Sequence, residues 1–154
     1  MEKYCLDTSV LVEGWVRLYP KDVFPSIWGK IEEMVADGRL LSPDEVLNEL
    51  KKQEDDLHKW AKGQTGLFHP LDIDLQRATQ EILTEFPRMV ESGKSRHQAD
   101  VFVVALARIT GRTVVTQETP SVNSNKPKIP NVCKHYAIRC IDLLSLLREQ
   151  NCNF

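Results

Sequence analysis

Along this chain, brief apolar runs alternate with longer stretches in which apolar residues return every three or four positions. The first run, Lys3 to Leu6, reads as a strand, and Thr8 to Tyr19 reads as a helix that begins directly after Asp7. Val23 to Asp37 reads as a second helix, with Ile27, Ile31, Met34 and Val35 on one face and Gly38 as its stop. "GRLLS" follows as a strand from Arg39 to Leu41. Ser42 and Glu45 then form an S-x-x-E capping box with Pro43 at the first helical position, opening a helix that runs towards Lys62. After the turn-rich "KGQTGLFHPLD", Ile73 to Phe86 reads as another helix, ended or kinked by Pro87.

In the second half, "SGKSRHQADVFVVALARITG" reads as a helix capped near Ser95 and closed by Gly111. From Ala99 to Ile109 it is apolar except for Asp100 and Arg108, so it must be buried on most sides. "RTVVT" is a strand, and "QETPSVNSNKPKIPN", with three of the eight prolines, reads as a loop. "IRCID" supplies a last strand and Leu143 to Glu149 a last helix. Strands alternating with helices imply a parallel sheet between helical layers, a three-layer α/β domain.

Length and composition narrow the class without naming a function. At 154 residues, with 42% hydrophobic and 27% charged, the chain is expected to be one domain over 1–154 with a sizeable core. No apolar stretch approaches the ~20 residues that cross a bilayer, and the first residues lack the build of a signal peptide, so no membrane association and a cytoplasmic location are expected. Cys5, Cys133, Cys140 and Cys152 stand singly, with no zinc-ligand spacing, and read as reduced, partly buried small hydrophobes.

Net charge is only -2, but its distribution is uneven. From Asp44 to Glu91 eleven acidic residues face six basic ones, whereas from Lys94 to Arg139 eight basic residues face two acidic ones, Asp100 and Glu118. The later segment has the charge of a phosphate-binding surface, with Lys126 and Lys128 as its loop lysines, or of an ordinary solvated basic face.

The candidate chemistry lies in carboxylates. In open α/β sheets, sites form outside the carboxyl ends of the strands. Asp7 and Glu118 both fall there, Glu45 and Glu49 lie one turn apart in the helix after the second strand, and Asp100 lies one turn inside the most apolar helix. Each has a structural alternative: Asp7 as a helix N-cap, Glu45 as the capping-box residue, Glu49 as a solvated charge, Glu118 as a loop residue. Asp100 is the hardest to explain structurally, because "ADVFVVALA" offers it no solvated face. Gathered carboxylates repel one another unless a cation joins them, and Mg²⁺ or Mn²⁺ suits a few carboxylates with waters and phosphate oxygens as remaining ligands.

The motifs "CLDTSVLVE", "SPDEVLNELKK", "ADVFVVALARITGRTVVTQE" and "AIRCIDLL" resemble, in order and over nearly the whole chain, those of a PIN domain of the kind found in VapC-type toxins of toxin-antitoxin pairs. The resemblance implies a Rossmann-like three-layer fold and a ribonuclease using Mg²⁺ or Mn²⁺, cutting RNA and restrained by an antitoxin protein. Its products would carry 5'-phosphate and 3'-hydroxyl ends. By position, Asp7 matches the family's first acid, Glu49 its helical Glu and Asp100 its central Asp, with Thr8, Ser9 and Thr116 as polar support. The family's T-x-D is here "TQE", so Glu118 would complete the catalytic set and, with Asp7 and Asp100, hold the metal.

Two other readings bear on the same residues. A longer acid at Glu118 would suit a PIN-like module that binds RNA or a protein partner without cutting. An aspartyl phosphatase would want an acid two residues after Asp7, where Ser9 stands. Trp15 and Trp28 belong either to the core or to the face of a homodimer.

Overall fold

Tyr4, Cys5 and Leu6 are all but inaccessible to solvent, which requires neighbours on both edges and both faces of the strand they form. In the structure, a computed structural model that describes residues 1–53, 55–89, 98–122 and 126–152, this strand is β1 (Tyr4–Leu6), the centre of a five-stranded sheet. β2 (Leu40–Pro43) lies on one side with Tyr4 against Leu40, and β4 (Thr113–Val115) on the other with Tyr4 against Thr113. β3 (Phe68–His69) and β5 (Cys140–Ile141) form the edges, giving the order β3-β2-β1-β4-β5. All four pairings are parallel, so the carboxyl ends of all five strands share one rim.

Parallel strands need crossovers, and these are the helices α1 (Thr8–Glu13), α2 (Pro25–Ala36), α3 (Asp44–Lys51), α4 (Asp56–Lys62), α5 (Ile73–Glu85), α6 (Asp100–Thr110) and α7 (Ile129–His135), with α8 (Leu143–Glu149) following the last strand. They flank the sheet in the expected three-layer arrangement. α6 carries the deepest apolar surface, with Val101, Val103, Val104, Ala105 and Leu106 at zero exposure. Gly111, at φ +67°, ends it in the left-handed conformation that favours glycine.

Several expected boundaries shift, each for a local reason. The first helix changes at Gly14 into a π-helical segment, Gly14–Leu18, where the Tyr19 N–H reaches back five residues to the Gly14 carbonyl at 2.8 Å. The Ser42–Glu45 capping box does not form. Ser42 belongs to β2 and its hydroxyl donates to the Leu6 carbonyl at 2.8 Å, bracing β2 against β1. The helix running towards Lys62 is two helices, the second capped by Asp55, whose carboxylate accepts the His58 N–H at 3.1 Å. "LFH" holds a short strand inside the expected turn region, and "KIPN" opens α7 inside the expected loop, with Pro130 in its first turn.

Ser95, expected to cap the long apolar helix, lies outside the described residues. That helix begins at Asp100 itself, so Asp100 is its first residue and not one turn inside. Trp28 is core: it is 1% exposed, packs edge-on to Trp15 and Trp60, and donates its Nε1–H to the Tyr19 carbonyl at 2.6 Å. Among the described residues, no helix is long and apolar enough to cross a membrane.

Candidate metal centre at the carboxyl rim

Asp7 follows β1 directly, and the chain turns there into α1, so its carboxylate is delivered to the rim with almost no solvent. Three donors receive it. The Thr8 N–H reaches Oδ1 at 2.8 Å, while the hydroxyls of Ser9 and Thr116 reach Oδ2 at 2.6 and 2.8 Å. Thr116 follows β4, so this hydrogen bond ties the ends of two adjacent strands together. Ser9 also accepts the Gln117 N–H at 2.9 Å, and Thr116 accepts the Glu118 N–H at 3.1 Å. Gln117 accepts the Leu143 N–H at 2.8 Å, at the start of α8 just beyond the carboxyl end of β5.

The structure brings Asp7, Asp100 and Glu118 together: one carboxylate oxygen from each lies within 4.8 Å of the others. Burial is the main cause that raises all three pKa values. Asp100, buried and beside Asp7, Glu118 and Glu49, is pushed up to about 10. Burial and Asp7 push Glu118 up to about 7, while a hydrogen bond with Asp100, the charge of Lys128 and the Ile129 N–H draw it back. Asp100 and Glu118 share a hydrogen bond, and burial with mutual repulsion favours a proton between them. Glu118 Oε1 is buried without a hydrogen-bond partner.

These features fit a hard divalent cation. Every donor is a carboxylate oxygen, one is buried and unpartnered, and like charges stand close enough that a cation would relieve all of them at once. Ionised Asp7, Asp100 and Glu118 would hold it.

Glu49 borders this group without joining it. Its Oε1 accepts the Ala99 N–H at 2.9 Å, so a carboxylate from α3 caps the start of α6 and fixes the residue before Asp100. Burial raises the Glu49 pKa, with the Thr8 hydroxyl and the Ala99 N–H opposing. Glu45 stands apart: its Oε2 is buried without a hydrogen bond, and burial raises its pKa too.

Lys126 and Lys128 are exposed on the segment that leads into α7. Asn131 was not legible as a site residue. Its Oδ1 accepts the N–H groups of Ser121 and Lys128 at 2.9 and 3.0 Å, and its Nδ2 donates to the Ser121 carbonyl at 3.0 Å, pinning the chain after Glu118. The signal available in the sequence was Pro130 as a helix start.

The family described as "Domain of unknown function (DUF4411)" matches residues 4–154. No curated protein matches the sequence. Among solved structures, the chain is similar to one described as VapBC2 from Rickettsia felis bound to a DNA fragment from their promoter, at 13% identity and a TM-score of 0.53, covering 90% of this chain and 97% of that one. It is also similar to DNA-bound VapBC from Salmonella typhimurium, at 18% identity and a TM-score of 0.54, covering 92% and 98%. Together with the parallel sheet order, these likenesses establish the VapC-like PIN fold.

Proposed function

The chain belongs to the DUF4411 family, and from its rim of carboxylates we propose that it is a metal-dependent endoribonuclease, the toxin of a toxin-antitoxin pair. The observation that carries this reading is the convergence of Asp7, Asp100 and Glu118, from three distant segments, on one place at the carboxyl end of the sheet. The likeness to VapBC structures supports an antitoxin protein as the partner that restrains the enzyme, and this reading adds an RNA substrate and a cytoplasmic site of action.

Mg²⁺ or Mn²⁺, when bound, polarises a phosphate oxygen and lowers the pKa of a coordinated water. The chain's own residues do the rest. Ser9, Thr116 and the Thr8 N–H fix the orientation of Asp7 and oppose the burial that raises its pKa, so no reorganisation is needed at the moment of reaction. Asp100 would hold the cation in its ionised form, beside Asp7 and Glu118. Glu49 positions Asp100 through the Ala99 N–H. Lys126 and Lys128 receive flanking phosphates and orient the strand. RNA breaks to leave 5'-phosphate and 3'-hydroxyl ends.

The test is cleavage of end-labelled RNA in titrations of Mg²⁺ and Mn²⁺, with Asp7→Asn alongside. Cleavage that needs metal and is lost in Asp7→Asn supports the proposal. RNA retained without cleavage at every Mn²⁺ concentration would make this a binding module instead.

A further inference from the structure

α7 leads away from the acidic rim. It starts beside the candidate metal centre, where the charge of Lys128 and the Ile129 N–H bear on Glu118, and it ends at His135 with Tyr136 as its cap. Its seven residues, at a rise of 1.5 Å each, separate the two ends by about 10 Å. Lys134 is exposed just before His135, and among the described residues no carboxylate pairs with it. Beyond β2 and β3 the chain instead sets Asp44 and Glu45 at the start of α3 and Asp72 and Asp74 at the start of α5, charges that repel a phosphate chain.

At the far end of α7, aromatic rings from two helix ends meet a guanidinium from a third helix. The centroids of His135 and Tyr136 lie 4.8 Å apart, and Phe86, which caps α5, lies 5.0 Å from the first and 6.0 Å from the second, each pair edge to face. The Arg108 guanidinium on α6 lies over the Tyr136 ring, 4.3 Å from its centroid. Glu85 fixes the group: its Oε1 accepts the Tyr136 hydroxyl at 2.9 Å, and its Oε2 accepts the Nε2–H of His135 at 2.8 Å. These hydrogen bonds, that of Tyr136 foremost, hold Glu85 below the usual carboxylate range. Both nearby carboxylates are thus engaged, Glu85 by the rings and Glu81 by Arg108 at 3.2 Å. The rings are still open to solvent, since Phe86 and Tyr136 are only half-buried and the His135 side chain is 49% exposed.

Fixed, solvent-accessible rings beside cations are what unpaired RNA bases stack on, because every base offers a π-face. A duplex keeps its bases stacked on one another and offers its backbone instead. We propose that Phe86, His135, Tyr136 and Arg108 form a base-stacking subsite for unpaired RNA, on the strand that runs from the acidic rim past Lys128 and Lys134 along α7. His135, the most exposed of these rings, takes the base, and Tyr136 and Phe86 hold it in place. The substrate is then single-stranded on that side of the cut.

This inference takes its ligand from the ribonuclease reading but does not depend on cleavage. The full chain is titrated in EDTA, where metal-dependent cutting is off, against a fluorescent single-stranded RNA, the same strand with abasic sites that keep ribose and phosphate, and a duplex. Fluorescence anisotropy should show the wild type binding the intact strand about fivefold or more tighter than either of the others. His135→Ala and Tyr136→Leu should each lose most of that preference with little change on the abasic strand, and His135→Phe, which keeps a ring without the charge, should restore it. Equal wild-type affinity for intact and abasic strands would overturn the subsite. So would variants that keep the preference, as they would if this face served a protein partner, or a His135→Phe variant no better than His135→Ala. Wild type that shows the preference but cuts no RNA in Mn²⁺ would refute the nuclease reading and uphold the subsite. Cleavage without the preference would do the reverse.

Discussion

Raising the pH should destabilise the metal-free protein, and Asp100→Asn should remove most of that effect. Burial and neighbouring carboxylates hold Asp100 up at about 10 and Glu118 up at about 7, against 3.8 and 4.5 ordinarily. Raised carboxylate pKa values mean that the folded state binds more protons than the unfolded chain. The stability they contribute is complete below the unfolded values and is lost as pH climbs through the folded ones. Between pH 5 and 8 Asp100 and Glu118 together hold one to two extra protons in the folded state, each worth ~1.4 kcal/mol per pH unit before screening, and Asp7, whose pKa burial also raises, acts with the same sign. Glu118 is only half-buried, so a discounted slope of roughly 1 kcal/mol per pH unit is appropriate, or ~3 kcal/mol across the window. For a chain of this size that is a fall in Tm of roughly 6–12 °C.

The carboxylates with lowered pKa values, Asp72, Glu85 and Asp142, act only below about pH 4.5 and leave this window clear. Asp100→Asn removes one titrating group and relieves Glu118, so the fall should shrink by more than half. Saturating Mn²⁺ should abolish it in the wild type, because ionised carboxylates are then the bound form. The assay is a set of thermal melts in EDTA and in Mn²⁺ at pH 5, 6, 7 and 8. A wild-type Tm that stays flat or rises with pH in EDTA, or an equally steep fall in Asp100→Asn, would refute the reasoning.

Other outcomes separate the remaining residues. Glu49→Ala should slow cleavage at least tenfold by removing the acceptor of the Ala99 N–H at the start of α6, whereas Glu45→Gln should cleave like wild type without a lower Tm, since its capping box does not form; RNA cleavage rates and melts of both variants check this. Glu118→Gln should lose less rate than Asp7→Asn and recover in part at high Mn²⁺, while Glu118→Asp should keep or gain activity; a Glu118→Gln variant that cleaves like wild type at every metal concentration would make Glu118 a loop residue. Neutralising Lys126 and Lys128 together should weaken RNA binding and flatten its salt dependence by roughly 0.7 in slope per lost phosphate contact, read from binding isotherms at several salt concentrations.

The sequence carried four of the five strands and the rim positions of Asp7 and Glu118, because both depend on local pattern. β1, β4, α8 and the positions of Asp7 and Glu118 follow from short apolar runs and the residues directly after them. What escaped depends on contacts across the chain. Ser42 satisfies every local rule for an N-cap, yet the Leu6 carbonyl claims its hydroxyl and β2 is extended to Pro43. Asp100 sits at a helix start because Glu49, fifty residues earlier in the chain, caps the Ala99 N–H. α7 was hidden by three prolines, one of which is its own first-turn residue.

The central claim is that Asp7, Asp100 and Glu118 hold a divalent cation, and anomalous diffraction from crystals soaked in Mn²⁺ tests it most directly. The account predicts a manganese peak among these three carboxylates in the wild type, lost in Asp100→Asn crystals. Wild-type crystals with no peak there, or with a peak only elsewhere on the protein, would contradict it.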